Sequence, residues 1–184
     1  MTLVVLDLGT NIDRESSLAT ALEYLVDHFK LTRASSVYKT TPVGMGNQPD
    51  FFNISLELET DRSAAEIREI ATKIEDLMGR DRTGPKFGPR NIDIDLVLYG
   101  DLVDLSDGIP HPQASRELFV VGPLAELRPD GRHPESGDNW RELRNRLMNG
   151  RSPKDAGIVR HCDLSELALG EKTKAALSEI ANTH

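Results

Sequence analysis

Gly88-Pro89-Arg90-Asn91-Ile92-Asp93-Ile94-Asp95-Leu96-Val97-Leu98-Tyr99 sets two acids inside a run that otherwise reads as a buried strand. Side chains alternate along a strand, so Ile92, Ile94, Leu96 and Leu98 are expected on one face. Asp93 and Asp95 are expected on the other, their Cα atoms about 7 Å apart. Neighbouring anions repel and lose hydration on burial, so the pair calls for a positive partner, a metal ion or an arginine. Just upstream, Arg80, Arg82, Lys86 and Arg90 stand against one acid, Asp81, for a local charge of +3. Gly84-Pro85 and Gly88-Pro89 break helix and strand, which predicts a mobile loop carrying cations toward the carboxylates. Carboxylates that hold Mg²⁺ beside guanidinium groups suit a polyphosphate, with a nucleotide triphosphate as the natural ligand. The competing reading places both acids on the wet face of an antiparallel sheet. An isolated Asp-x-Asp favours that reading, whereas the cationic loop in an acidic chain favours polyphosphate.

Working outward, Leu3 to Leu8 reads as a buried strand ending in the turn Gly9-Thr10-Asn11, and Asp13 is positioned to cap a helix over 14–28. A weaker strand is expected from Leu31 to Tyr38, then a long loop over 39–50 without P-loop spacing. Phe52, Ile54, Leu56 and Leu58 alternate with polar residues, the clearest strand in the chain. Asn53 falls on the polar side, where a solvated amide is the simpler reading and recognition of a heterocycle the sharper one. Ser63-Ala64-Ala65-Glu66 is a capping box opening a helix whose apolar face is Ile67, Ile70, Ala71, Ile74, Leu77 and Met78, closed by Gly79. The order strand, helix, strand, strand, helix, strand predicts an α+β fold with a ferredoxin-like βαββαβ core. Its antiparallel sheet would carry both helices on one face and leave the other free for a ligand. Extra C-terminal helices are expected through Phe119 to Leu127, over Trp140 to Met148, and near Glu171 to Ala181. Residues 1–150 are expected to form the main domain and 151–184 a C-terminal extension of unknown role.

The chain has 184 residues, 38% hydrophobic and 28% charged, in keeping with one globular domain. A net charge of −8 argues against broad nucleic-acid or anionic-membrane binding, since only one loop is basic. No apolar run reaches spanning length and the N-terminus lacks a signal pattern, so a cytoplasmic location is expected. Cys162 stands alone, and the five histidines show no zinc spacing.

Gly88-Pro89-Arg90-Asn91-Ile92-Asp93-Ile94-Asp95-Leu96 resembles the signature of the hydroxymethyl-dihydropterin pyrophosphokinase family. Gly9-Thr10-Asn11, Tyr38-x-Thr40-x-Pro42-x-Gly44, Gln48, Phe51-x-Asn53 and Ile109-Pro110-His111-Pro112 with Phe119 resemble its further motifs, in order, over roughly residues 1 to 150. The resemblance implies transfer of pyrophosphate from ATP to the hydroxymethyl group of 6-hydroxymethyl-7,8-dihydropterin, releasing AMP, in folate biosynthesis. It also implies two Mg²⁺ ions on Asp93 and Asp95. ATP contacts would come from Arg80, Arg82, Arg90, His111 and Arg116, with Arg80 and Arg90 catalytic alongside the acids. The pterin would stack between Phe51 and Phe119, its edge read by Asn53 and the backbone of Thr40 and Val43. Arg116 stands one place earlier than the family's order, Phe87 replaces a common tryptophan, and the link from Tyr99 to His111 is short. The expected partners are these two small molecules, with no nucleic acid and no membrane, and a monomer is the expected state.

Two other readings compete. A different Mg²⁺-dependent phosphoryl or nucleotidyl transferase would bind ATP without pterin. A ferredoxin-like nucleotide- or pterin-binding module would bind both without turnover.

Overall fold

The structure, a computed structural model, describes residues 1–43, 48–81, 83 and 88–181. Arg82, Lys86 and Phe87 lie outside the described residues. The strands are β1 (Thr2–Thr10), β2 (Lys30–Ala34), β3 (Val37–Thr40), β4 (Phe51–Thr60), β5 (Asp93–Tyr99) and β6 (Ile158–Cys162). The helices are α1 (Arg14–Val26), α2 (Ala64–Leu77), α3 (Leu118–Leu127), α4 (Trp140–Met148) and α5 (Glu171–Ala181). All strand pairs are antiparallel, in the order β5-β1-β4-β3-β6, with β2 also on β4. This is the ferredoxin-like core with one modification. The strand expected over Leu31 to Tyr38 is broken at Ser35-Ser36, where Ser35 exchanges hydrogen bonds with Ser55 across β4, and its halves become β2 and β3.

One face of the sheet forms the main core with α1 and α2. Leu6 and Leu8 from β1, Ile54 and Leu56 from β4 and Ile92 from the turn before β5 are buried against Leu18, Leu22, Ile67 and Ile74. Each such side chain contributes about 1.5–3 kcal/mol by leaving water. The Ser63–Glu66 capping box forms in both directions, and Gly79 closes the helix with φ +75°. Two expectations about these helices fail. Asp13 precedes α1 in a left-handed conformation and its side chain caps nothing, while Leu77 points outward with 69% of its surface exposed.

The opposite face is not free along its whole length. Val5, Val97 and Leu98 are buried against Val120, Val121 and Leu124 of α3 and Trp140 and Leu143 of α4. A register shift between Val5 and Leu6 leaves Val97 as an extra residue between Leu96 and Leu98. That bulge sends Leu98 to the α3 side, away from Ile92, Ile94 and Leu96, contrary to strict alternation. Helices thus cover the end of this face at Val5, Val97 and Leu98 and leave open the end where Asp93 and Asp95 project.

Strand β6 has no counterpart in the sequence reading, since its alternation is weak and only Ile158 is buried. It pairs with β3 and completes the sheet edge. No helix among the described residues is long and apolar enough to cross a membrane.

Candidate active site

The open part of the second face is a cavity of about 500 Å³. β1, β4 and β5 form its floor, because the register sets Asp7 beside Ser55 and Asp95, and Gly9 beside Asn53 and Asp93. The segment from His111 through Val120 forms one wall, and Thr40 to Val43 the other. The described residues assigned from the sequence to catalysis, ATP, pterin or metal all line this space: Thr40, Val43, Phe51, Asn53, Arg80, Arg90, Asp93, Asp95, His111, Arg116 and Phe119.

The cationic end is built around Asp93. Its two carboxylate oxygens accept from Arg80 Nη1 and Arg90 Nη1, so arginine is the positive partner of this acid. Arg80 also donates to Glu75 Oε1 at 2.5 Å and to the Ile92 carbonyl at 3.2 Å. Glu75 is buried on α2 and accepts from the Ile94 N–H at 2.8 Å, so one carboxylate sets both the arginine and the start of β5. Asp95 is pushed up to about 6, first by burial and then by the charge of Asp93, with Arg80 and Arg90 acting in the opposite sense. His111 keeps its ring below the usual histidine range through burial, and its Nδ1 faces the Gln113 N–H at 3.4 Å. Arg116 is exposed at the rim.

Asn11 holds two loops around this end. Its Oδ1 accepts from the Arg90 N–H at 2.9 Å, and its Nδ2 donates to Gln48 Oε1 at 3.0 Å and to the Pro49 carbonyl at 3.2 Å. The asparagine of the first turn and Gln48 thus act together.

At the amide end the polar side chains Asn53 and Thr40 are buried. Asn53 is only 7% exposed and Nδ2 donates to Thr40 Oγ1 at 2.7 Å, so the solvated-amide reading does not hold. Its Oδ1 passes over Gly9, where a Cβ would stand 2.9 Å away, which explains a glycine inside β1. Phe51 has the Arg90 guanidinium 5.6 Å from its ring centre, and Phe119 packs on the α3 cluster with its other side toward the cavity.

Asp7 is the floor residue that sequence reading passes over. Burial raises its carboxyl well above the usual range, partly offset by a 2.5 Å hydrogen bond from Ser55 Oγ, with Asp95 adding a further rise. The signal is a lone acid inside the apolar run Leu3 to Leu8, at the parity of Gly9 rather than of Leu6 and Leu8. Among the described residues no group of three His, Cys, Asp or Glu side chains is arranged to hold a metal by itself. Asp93 and Asp95 are the floor carboxylates that could hold a cation, with water or a bound anion completing its shell. That suits Mg²⁺, which keeps several waters and shares phosphate oxygens.

The family model for 7,8-dihydro-6-hydroxymethylpterin-pyrophosphokinase matches residues 5–129. The chain is similar to the 2-amino-4-hydroxy-6-hydroxymethyldihydropteridine pyrophosphokinase of Bacillus subtilis, 38% identical over 125 residues that cover 65% of this chain and 74% of that one. The enzyme of that name from Aquifex aeolicus is 36% identical over 137 residues, covering 73% of this chain and 85% of that one. A folate synthesis bifunctional protein of Arabidopsis thaliana is 36% identical over 67% of this chain but only 26% of its own length. The crystal structure of wild-type Plasmodium falciparum HPPK-DHPS with pteroate matches with a TM-score of 0.65 at 16% identity, covering 80% of this chain and 42% of that one. At that identity it shows the shared fold, which is the ferredoxin-like architecture described above. A match that spans β1 through α3 and contains the whole floor and both walls of the cavity decides the matter: the chain belongs to the 7,8-dihydro-6-hydroxymethylpterin-pyrophosphokinase family.

Proposed function

We infer that the cavity carries out the family's reaction, moving pyrophosphate from ATP to the hydroxymethyl group of 6-hydroxymethyl-7,8-dihydropterin in folate biosynthesis. The observation that carries this is one cavity joining a family-matched arginine and carboxylate end to an end with a buried amide, Asn53. In the reaction the hydroxymethyl oxygen forms a bond to the β-phosphorus of ATP. The bond from that phosphorus to the α–β bridging oxygen breaks, AMP departs with the electron pair, and the hydroxyl proton is released. Such transfer rests on positioning and charge neutralisation rather than on protein nucleophiles.

Asp93 and Asp95 would hold magnesium, two ions in the family pattern, which supply positive charge to the triphosphate and its leaving group. Burial of Asp95 beside a second carboxylate supports this, because a group held near 6 gains most from an arriving cation. Arg80 and Arg90 have Asp93 as their present partner, and phosphate oxygens compete for the same forked donors. With the guanidinium groups of Arg80 and Arg90 on phosphate, Asp93 would be available beside Asp95 to hold the cation. His111 and Arg116 on the wall are assigned to the ATP side, as is Arg82 by the family pattern. Burial holds His111 below the usual histidine range, and with Nδ1 accepting from the Gln113 N–H its Nε2 is the atom left to donate to phosphate.

On the other side, Asn53 and the backbone of Thr40 and Val43 would read the edge of the pterin while Phe51 and Phe119 close on its faces. Holding Asn53 on Thr40 fixes the amide before the ligand arrives, so little side-chain freedom remains to be lost on binding. The chain is assigned to act as a monomer. AMP formation should require both ATP and the hydroxymethyl-dihydropterin. Release of ADP, or turnover without pterin, would overturn the assignment.

A further inference from the structure

The family match ends at residue 129, yet the chain beyond it pairs with the strand that leads into the amide end of the cavity. β6 pairs with β3 through Val37 and Cys162, Tyr38 and Arg160, Lys39 and Val159, and Thr40 and Ile158. Past the end of β3 the same edge continues, with the Thr41 N–H donating to the Gly157 carbonyl at 2.9 Å. On its inner side β3 pairs with β4 only at Tyr38, Lys39 and Thr40. A strand this short would be an edge with an open row of backbone groups, and such segments fray first. β6 supplies the second side, directly behind the backbone that leads to Val43.

A second contact reaches Phe51 from its neighbours. The His161 ring lies 4.5 Å from the ring of Phe52, and the Arg14 guanidinium lies 4.4 Å from that same ring. Arg14 also donates to the Asp50 carbonyl at 3.0 Å, so the residues on both sides of Phe51 are clamped. The segment is itself anchored. Leu164, Leu167 and Leu169 are buried in the main core, and Thr173 of α5 donates through N and Oγ1 to Glu23 of α1.

We propose that residues 151–181 are a positioning element for the pterin half of the site, setting the Thr40–Val43 backbone and the pose of Phe51. The ATP half, carried by Arg80, Arg90 and β5 on the far side of β1, meets that half where the Arg90 guanidinium lies 5.6 Å from the Phe51 ring, so the tail acts on it only at second hand. The proposal rests on the assignment of Thr40, Val43, Phe51 and Asn53 to the pterin.

The test is steady-state kinetics with each substrate varied in turn, on Gly157→Ala and His161→Ala, with Asn53→Ala alongside. Gly157 has φ +71°, and an added Cβ would stand 3.1 Å from Thr41 Oγ1 and 3.2 Å from its Cβ, so alanine pushes on Thr41. Gly157→Ala should raise KM for the pterin by about tenfold, the equivalent of one well-placed hydrogen bond, and leave KM for ATP unchanged. His161→Ala, a surface change that keeps the strand pairing, should raise the pterin KM about threefold by the same measure. A tail that only stabilises the fold would lower the active fraction, and so kcat, without moving either KM; that outcome overturns the proposal. If Asn53→Ala raises the pterin KM while both tail variants leave it unchanged, the tail has no positioning role. If Asn53→Ala leaves it unchanged, the pterin assignment falls and takes this inference with it.

Discussion

Replacing Asp95 by asparagine should make the ligand-free protein more stable while removing its turnover. Asp95 is held near 6 against an ordinary value of 3.8, a rise of about two pH units caused chiefly by burial and then by Asp93. At 1.36 kcal/mol per unit, carrying the charge in the folded state costs about 2–3 kcal/mol. The folded value lies above the unfolded one, so the favourable contribution is present in full below about pH 4 and is lost as pH rises through about 6. At pH 7 wild type bears the whole cost and Asp95→Asn none of it, whereas at pH 3.5 both are neutral there. Urea unfolding of metal-free protein should therefore show Asp95→Asn about 2–3 kcal/mol more stable at pH 7, with the difference nearly gone at pH 3.5. For a chain of this length that corresponds to a gain in Tm of roughly 5–10 °C. Magnesium with a nonhydrolysable ATP analogue should stabilise wild type strongly and the variant much less, since the bound cation is what offsets the charge. A variant no more stable than wild type at pH 7, or one stabilised equally at both pH values, would refute the buried-charge reasoning. Full activity in Asp95→Asn would refute the metal role.

Other perturbations follow from the same floor. Ser55→Ala leaves the buried Asp7 carboxyl without its 2.5 Å partner and should cost about 1–3 kcal/mol by urea unfolding; the double variant Asp7→Ala/Ser55→Ala should recover most of it, showing coupling in a mutant cycle. Glu75→Ala removes the acceptor of both the Ile94 N–H and Arg80 and should cost about 3 kcal/mol by the same assay, with Glu75→Gln costing clearly less. Chelation of magnesium should abolish AMP formation and lower nucleotide affinity measured by calorimetry, while the circular dichroism of the metal-free chain stays unchanged.

Much of this site was legible before any coordinates because its chemistry sits in unusual local contexts. Two acids in a strand, a basic turn before them and breakers on both sides are rare enough together to point to a polyphosphate. The capping box of α2 and the alternation of β4 were equally plain, since a cap and a period-2 pattern are properties of neighbouring residues. Long-range facts were less visible. The bulge at Val97 arises from pairing with β1, so nothing in Leu96-Val97-Leu98 announces that Leu98 changes face. Asn53 looked solvated because its burial is produced by Thr40 and by the absence of a side chain at Gly9. Asp7 was hidden for a similar reason, as an acid in an apolar run shows its role only when Ser55 and Asp95 arrive from two other strands.

The amino-acid order alone determined the βαββαβ sequence of elements, the acidic strand and the residues gathered around it, because each is encoded by periodicity, capping or a short motif. Only the tertiary structure decided that Arg80 and Arg90 bind Asp93, that α3 and α4 cover part of the second face, and that β6 joins the sheet. The physical reason is range. Local patterns set what a segment can become, while burial, charge pairing and strand partnership depend on residues tens of positions away whose approach no local pattern specifies.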